Sequence, residues 1–392
     1  MAARPAARGR PAHRAHAAVG RQTLGLEGPA GARFVYDEDH VRRGDALPEP
    51  VVSTLFGHGS VHSLDGEAHR VRKAMFVDLL TGEGVGALVD SVTAAWDDAA
   101  QRWTGRRRVV LFDEASRVLT RGVCDWAGVP VSDEEVPALA RDLTALVDGF
   151  ATGAARHWRA RRVRQRREAW LAGIVEEVRA GRRTVPAGST LRVVADHRES
   201  DGELLEPRVA AVEVLNVIRP TVAVCWFVAF AAHALHRWPA YRERLRSGED
   251  AFATAFAHEV RRFYPFAPFI GGRSPREVEW DGEKVPAGAM VLLDIFGQNH
   301  DPELWEEPYA FRPERFLDRS IGAWELVPQG AGDPRTGHRC PGEDITVALL
   351  SALVVRLARL EYVLPDQDLT ISLRRIPARP ASRMVLTGVR PG

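Results

Sequence analysis

Disulfide chemistry, a charge imbalance and an export signal are all missing from this sequence. There are only three cysteines, Cys124, Cys225 and Cys340, and they lie far apart. An odd, scattered set excludes a disulfide scaffold and fits a reducing, cytoplasmic compartment. The 53 basic residues, nearly all arginine, are offset by 52 acidic ones, for a net charge of +1. That balance removes the electrostatic argument for nucleic acid as a partner. The Arg-rich stretch RHWRARRVRQRR (156–167) has helical spacing and reads as a solvated face. At the N-terminus, MAARPAARGRPAHRAHAAVG is rich in Ala and Arg and contains no apolar segment of signal-peptide length. Residues 1–26 are therefore expected to be a disordered tail, and 27–392 a single domain. The run from Val212 to Leu235 is long enough to span a bilayer. It carries Glu213, Arg219 and Pro220, however, which argues for one buried helix and against a membrane anchor.

What is present suits a large core: 45% of residues are hydrophobic, with 25 Pro and 34 Gly as punctuation. The expected fold class is mainly α with small β-sheets, α+β, in one large domain. Helical periodicity recurs in DGEAHRVRKAMFVDLL, VGALVDSVTAAWDDAAQRW, EEVPALARDLTALVDGF and RREAWLAGIVEEVRAG. Ser132 with Glu135 forms a candidate capping box, although Pro137 marks a possible later start. Glu206-Pro207 opens the central helix, and AFATAFAHEVRRFY stops before Pro265. ARFVYDED reads as a short strand and turn. EVEW and KVPAGAMVLLDIF read as strands around an Asp281-Gly282 turn.

Cys340 lies in GHRCPGEDITVALL, in a Pro-Gly turn directly before an amphipathic helix. Free N–H groups and positive potential at a helix N-terminus favour a thiolate there. Such a thiolate can serve as nucleophile, metal ligand or haem ligand, and on spacing alone a structural cysteine is as good a reading. Cys124 and Cys225 have apolar neighbours and read as core residues. HEVRRFYPF places Glu259 and Arg262 at i,i+3 on one helix face, and FRPERF supplies Arg315. A Glu-x-x-Arg pair by itself is an ordinary surface salt bridge. In the order Glu-x-x-Arg, Pro-Glu-Arg-Phe, then Cys-Pro-Gly before a helix, the pattern resembles the cytochrome P-450 family. The likeness runs from about residue 30 onward.

That resemblance implies the haem-thiolate fold, with haem b as cofactor and Cys340 as axial ligand of its iron. It implies a structural role for Glu259, Arg262 and Arg315, which would hold the region that carries the cysteine loop. DGEAHRVRK is similar to the family's haem-clasping helix, so His69 and Lys73 would face the propionates, joined by Arg43 of HVRRGDALP. One departure stands out. Asp333 occupies the position seven before the cysteine where the family carries an aromatic residue, in a loop longer than most.

The centre of the long helix, NVIRPTVAV, departs further. Pro220 cannot donate to the carbonyl of Asn216, at a cost of roughly 3 kcal/mol. A buried Arg219 without an anion costs several kcal/mol more. Members of the family that use molecular oxygen place an acid before Thr or Ser here. This chain has Ile218-Arg219-Pro220 before Thr221, and no acid. The pattern resembles the fatty-acid peroxygenase and decarboxylase branch. The resemblance implies hydrogen peroxide as oxidant, no required redox partner, and fatty acids hydroxylated at the α or β carbon or decarboxylated to terminal alkenes. Arg219 would hold the substrate carboxylate, Pro220 would clear backbone beside the iron, and His62 would donate a proton above the haem edge. Phe56, Val147, Phe150, Phe266 and Phe269 match positions that line the alkyl tunnel. Pairing of Arg219 with Glu213 is the internal alternative. The rival activities are an oxygen- and reductase-dependent monooxygenase using Thr221, and a non-catalytic haem sensor.

Overall fold

Apolar residues at helical spacing shape most of the chain into helices. The computed structural model describes residues 13–15, 23–44, 46–150, 154–317 and 319–392. The first half holds α1 (Gly28–Tyr36), α2 (Glu49–Val51), α3 (Gly66–Leu80), α4 (Glu83–Trp103), α5 (Leu111–Ala127), α6 (Val136–Gly149) and α7 (Ala154–Arg179). The second holds α8 (Thr190–Asp196), α9 (Pro207–Val222), α10 (Val224–Arg237), α11 (Ala240–Arg246), α12 (Asp250–Phe263), α13 (Ile295–Asn299) and α14 (Glu343–Arg359). A π-helical turn, Val52–Phe56, extends α2, and a 3-10 turn follows at Val61–Ser63.

Strands are few and short. β1 (His13–Ala15), β2 (Thr23–Leu26), β4 (Phe269–Arg273) and β7 (Met290–Asp294) form one sheet in the order β1-β2-β7-β4. β3 (Val109–Val110), β8 (Glu361–Val363) and β9 (Val385–Arg390) form a second, and β5 (Val278–Trp280) with β6 (Glu283–Val285) a third. β5 and β6 turn at Asp281-Gly282, both at positive φ, as the Asp-Gly pair requires. The α+β class holds.

Three local expectations are corrected. The tail boundary at 26 is too late, because β2 pairs in parallel with β7, Thr23 against Met290 through Leu26 against Leu293. The rest of that tail, 1–12 and 16–22, lies outside the described residues. The strand expected at ARFVYDED is helix α1, begun by Pro29 in its first turn and burying Gly31, Ala32, Phe34 and Val35 on one side. Ser132 bonds Glu135 through its N–H and hydroxyl, at 2.9 and 3.0 Å, yet α6 starts only at Val136 with Pro137 in its first turn.

α9 and α10 run through the middle of the molecule. Glu206 caps α9 by accepting from the Val209 N–H at 3.3 Å. The single helix expected over 212–235 is in fact two, separated by a turn at Ala223 just after Pro220. The combined span Pro207–Arg237 is long and apolar enough to cross a membrane, but 94% of its most apolar window is buried inside the fold. Its walls are α5, α6, α7 and α14, and the main core gathers Leu119, Leu215, Phe230, Leu350 and Leu353. A central helix enclosed this way can present side chains to an interior site while its ends stay fixed.

Candidate active site

α14 and the loop before it carry the thiol. The Cys340 N–H donates to the Gln329 carbonyl at 3.1 Å. Gln329 in turn directs its side-chain amide at Sγ (3.6 Å) and at Thr346 Oγ1 (3.0 Å). Arg261 fixes that amide through Oε1 at 3.1 Å. Glu343, first residue of the helix, pairs with Arg339 at 2.6 Å and with Arg261. Burial would raise the Glu343 carboxyl, but the two guanidiniums hold it below its ordinary range. Cys340 behaves oppositely. Burial pushes the thiol up, and the Gly342 N–H and Lys73 only partly counter it. The helix N-terminus alone therefore does not make a thiolate here.

Glu259 and Arg262, both fully buried, form a two-bond pair at 2.7 and 2.7 Å. Arg315 Nε lies 3.3 Å from the same carboxylate, so the Glu-Arg-Arg cluster forms. Arg262 also donates to the carbonyls of Asn299 and Pro308, both at 2.8 Å. These bonds tie α12 to the loop leading toward the cysteine.

Beside the thiol lies an edge rich in unsatisfied donors. Lys73 Nζ donates to the Arg339 carbonyl at 2.5 Å. Its pKa falls to about 8, because burial outweighs the nearby Cys340. Arg43 bonds Gly271 O at 3.4 Å, while its Nε and Nη2 are buried without partners. His69 stacks on His338 with ring centroids 4.0 Å apart; His69 Nδ1 has no hydrogen-bond partner, while His338 Nε2 lies 3.5 Å from an Asp65 oxygen and 3.6 Å from a Glu38 oxygen. Burial lowers both rings, His69 to about 3. Glu38, His69 and His338 also bring donor atoms within 4.8 Å, a spacing a metal ion would accept. The groups left without a partner nevertheless include two guanidinium nitrogens of Arg43 and the His69 ring, with the Lys73 ammonium close to both. That is the complement of an anion, and it fits the propionate edge of a haem whose iron meets Cys340. His338, Gln329 and Arg261 were missed in the sequence. His338, two residues before the cysteine, was the one with a visible signal.

Arg219 faces the same interior from α9. It is 5% exposed, and no carboxylate among the described residues lies within ion-pair distance of it. Its Nη2 donates to Asn216 Oδ1 at 3.2 Å, and its Nε has no partner. Burial, then Arg164, bring its pKa down to about 9, against Cys340, which raises it. Glu213 is not its partner, since that carboxylate bonds Arg72 at 2.7 Å and the Asn216 amide at 3.0 Å. The Thr221 hydroxyl is held by the Val217 carbonyl at 2.9 Å.

Phe56 and His62 form the facing wall, their rings stacked at 4.1 Å. The Arg219 guanidinium lies 5.9 Å from the Phe56 ring. Burial first, then Arg219, drive the His62 pKa well below its ordinary value. The shift favours the neutral ring, which can offer a hydrogen bond. The Phe56 carbonyl accepts from Arg164 at 2.7 Å and from Asn216 at 3.0 Å. Gly57 follows at φ 86°, and a Cβ there would meet Arg164 Nη2 at 2.2 Å. Arg164 itself is buried, the exception in a stretch whose Arg156, Arg159, Arg162 and Arg166 are exposed as expected. Phe266 packs on Phe227 at 5.0 Å, Val147 is buried in α6, and Phe150 is half-buried after it. Phe269 does not join them. It lies on edge strand β4 and is 53% exposed. A cavity of about 550 Å³ opens on the opposite side of the cysteine loop, lined by Arg335, Arg339, Asp344 and Val347 beside Cys340. Arg219 and His62 are not on its wall, so it is not the space they enclose.

Residues 251–368 match the model of the Cytochrome P450 family. Among curated proteins, cytochrome P450 4e5, mitochondrial, of Drosophila mettleri is 30% identical over 37% of this chain and 31% of its own length. Geranylhydroquinone 3''-hydroxylase CYP76B74 of Arnebia euchroma is 40% identical over 24% of this chain and 20% of its own. The chain thus spans less than a third of either relative. Solved structures match throughout. Cytochrome P450SP alpha (CYP152B1) in complex with (R)-ibuprofen is 42% identical with a TM-score of 0.92, covering 95% of this chain and 92% of that one. Cytochrome P450EX alpha (CYP152N1) with myristic acid is 38% identical with a TM-score of 0.91, covering 95% and 90%. A variant of cytochrome P450 OleT in complex with arachidonic acid is 34% identical with a TM-score of 0.93, covering 96% and 90%. With its thiol at a helix N-terminus, its buried Glu-Arg-Arg cluster and this full-length likeness, the chain belongs to the cytochrome P450 family.

Proposed function

We propose that this protein is a haem-thiolate peroxygenase that oxidises fatty acids at the α or β carbon with hydrogen peroxide. The observation that carries the reading is Arg219, a buried guanidinium with no carboxylate partner among the described residues. A permanent cation in such a place is tolerable if its anion arrives with the substrate. Two solved relatives carry fatty acids, myristic and arachidonic, and a carboxylate is what a guanidinium fork binds best.

The residues that would hold haem are Cys340, through its sulfur, with Arg43, His69, Lys73 and His338, and the group would supply the oxidising chemistry drawn from hydrogen peroxide. The chain's own residues do the rest. Arg219 fixes the carboxylate end, which brings the next two carbons of the acyl chain nearest the oxidant. The held carboxylate is also the acid–base group that the helix lacks, since no acid precedes Thr221 and its hydroxyl is engaged by Val217. Pro220 leaves the helix without an N–H at this point, and Phe56 and Phe266 give the alkyl chain an apolar wall. Neutral His62 offers a hydrogen bond beside the reacting carbon. Hydroxylation consumes one peroxide and releases one water. Decarboxylation of the same acid gives alkene, carbon dioxide and two waters. No redox protein is required, and a cytoplasmic location suits the three free cysteines.

The test is Arg219→Ala. Fatty-acid turnover with peroxide should nearly vanish, a loss of roughly 2–5 kcal/mol as for a broken buried pair, while haem content stays the same. A short carboxylic acid added with a non-acidic substrate should support turnover in the wild type by occupying the anchor. Equal turnover of non-acidic substrates with no added acid would overturn the reading.

A further inference from the structure

Glu213 lies on α9 with no exposed surface, and every neighbour of its carboxylate is a donor. Oε1 accepts from the Val61 N–H and from Arg72 Nη1, each at 2.7 Å, and Oε2 accepts from Asn216 Nδ2 at 3.0 Å. Two of these arms lead straight to the groups facing the substrate space. Val61 opens the 3-10 turn that carries His62. Asn216 passes its other end to Arg219, whose Nη2 donates to Oδ1 at 3.2 Å. The third arm is an anchor: Arg72 also bonds Gly59 O at 3.0 Å and grips Glu199 with two bonds, at 2.7 and 2.5 Å.

We propose that Glu213 is a positioning residue that locks the His62 turn and the Arg219 guanidinium into one unit, and so sets which substrate carbon is oxidised. The inference rests on Arg219 as the carboxylate anchor. A structural ion pair between α3 and α9 would need only Arg72. The additional bonds have a chemical consequence that such a pair lacks. Oε2 and the Phe56 carbonyl both only accept, so together they require the NH2 side of Asn216, which turns the amide oxygen toward Arg219. If the amide flipped, its NH2 would oppose the guanidinium NH2, and the anchor would lose its orienting bond. The same carboxylate fixes the height of the His62 turn through main chain, so the two distal groups keep one separation. A substrate held at its carboxylate is then presented to His62 at a fixed carbon.

Glu213→Gln in the haem-loaded enzyme tests this. The amide would bring an NH2 against Val61 N–H, Arg72 or Asn216 Nδ2, all donors. Fatty-acid affinity, read from the substrate-induced spectral change, should weaken about tenfold, as for a lost buried bond to a charged group. The ratio of α- to β-oxidised products should move by about threefold or more on one fatty acid. Glu213→Asp keeps the charge but is one methylene too short to reach all three donors. It should shift both readouts in the same direction by less, and it serves if the Gln variant does not fold. Wild-type affinity and product ratio in haem-loaded variants, even with a lower melting temperature, would make Glu213 a purely structural residue and overturn the proposal. If Arg219→Ala also left fatty-acid affinity unchanged, the anchor itself would be wrong. If that variant lost affinity while the Glu213 variants did not, only the present inference would fall.

Discussion

Beneath the thiol, Glu343 has two guanidinium partners and Glu259 has Arg262 with Arg315 beside it. Across the interior, Arg219 has one amide oxygen and a bare Nε, and His62 has a ring neighbour and an unbonded Nδ1. Both regions are buried and both are polar, so burial does not separate them. Completeness does. A closed network holds a shape, while an open one holds a place for something else, because an unmet buried donor is costly until its acceptor binds.

The comparison can be broken first at the thiol itself. Cys340→Ala should abolish the thiolate spectrum and peroxide turnover together. A surviving thiolate band would mean that Cys124 or Cys225 is the ligand, which their packing inside the main hydrophobic core argues against. On the closed side, Glu259→Gln leaves two arginines without their anion and should cost about 3–5 kcal/mol of stability. Chemical denaturation reads this, and a midpoint unchanged from wild type would show that the cluster is dispensable.

Acid should act on the packed interior in a graded way. Burial lowers His69 to about 3 and His233, His258 and His300 to about 4, below an unfolded value near 6.5. The unfolded chain then binds more protons, so stability is fully present above pH 6.5 and drains away as pH falls toward 4. The melting temperature should fall steadily across that window, and a flat profile would mean that these rings are solvated. The smallest effect belongs to the open side. His62→Gln keeps a donor of similar size and should shift products from alkene toward hydroxy acid. About 1.4 kcal/mol between the two exits is enough for a tenfold change in their ratio. An unchanged ratio on one fatty acid would leave His62 a bystander.

Sequence reading reached the residues whose chemistry is local. Cys340 before its helix, Glu259 with Arg262 at i,i+3, and the Arg219-Pro220 anomaly are each visible within a few positions. It failed where a partner comes from far along the chain. Gln329 reaches Cys340 across a loop, and His338 meets His69 only because α3 folds against that loop. Glu213, six positions from Arg219, sits on another part of the helix and is not its direct partner. Asn216, three from each, bridges them. Helix α5 went unread; it follows β3 (Val109–Val110) without a break, its first residues being Leu111 and Phe112. ARFVY misled for a related reason. Its aromatic and β-branched residues suit a strand, and packing against β7 made them the buried side of a helix.

The bonds at Phe56 bear on how freely the pocket can be reshaped. Arg164 and Asn216 both grip its carbonyl oxygen, an atom that every amino acid supplies. The wall is therefore moored by main chain, and the identity of the side chain at this position is decoupled from the mooring. Gly57 next to it has no such latitude, since any side chain would displace Arg164. At Phe56 a change of side chain would alter the stacking on His62 without releasing the main chain, whereas at Gly57 it would release both.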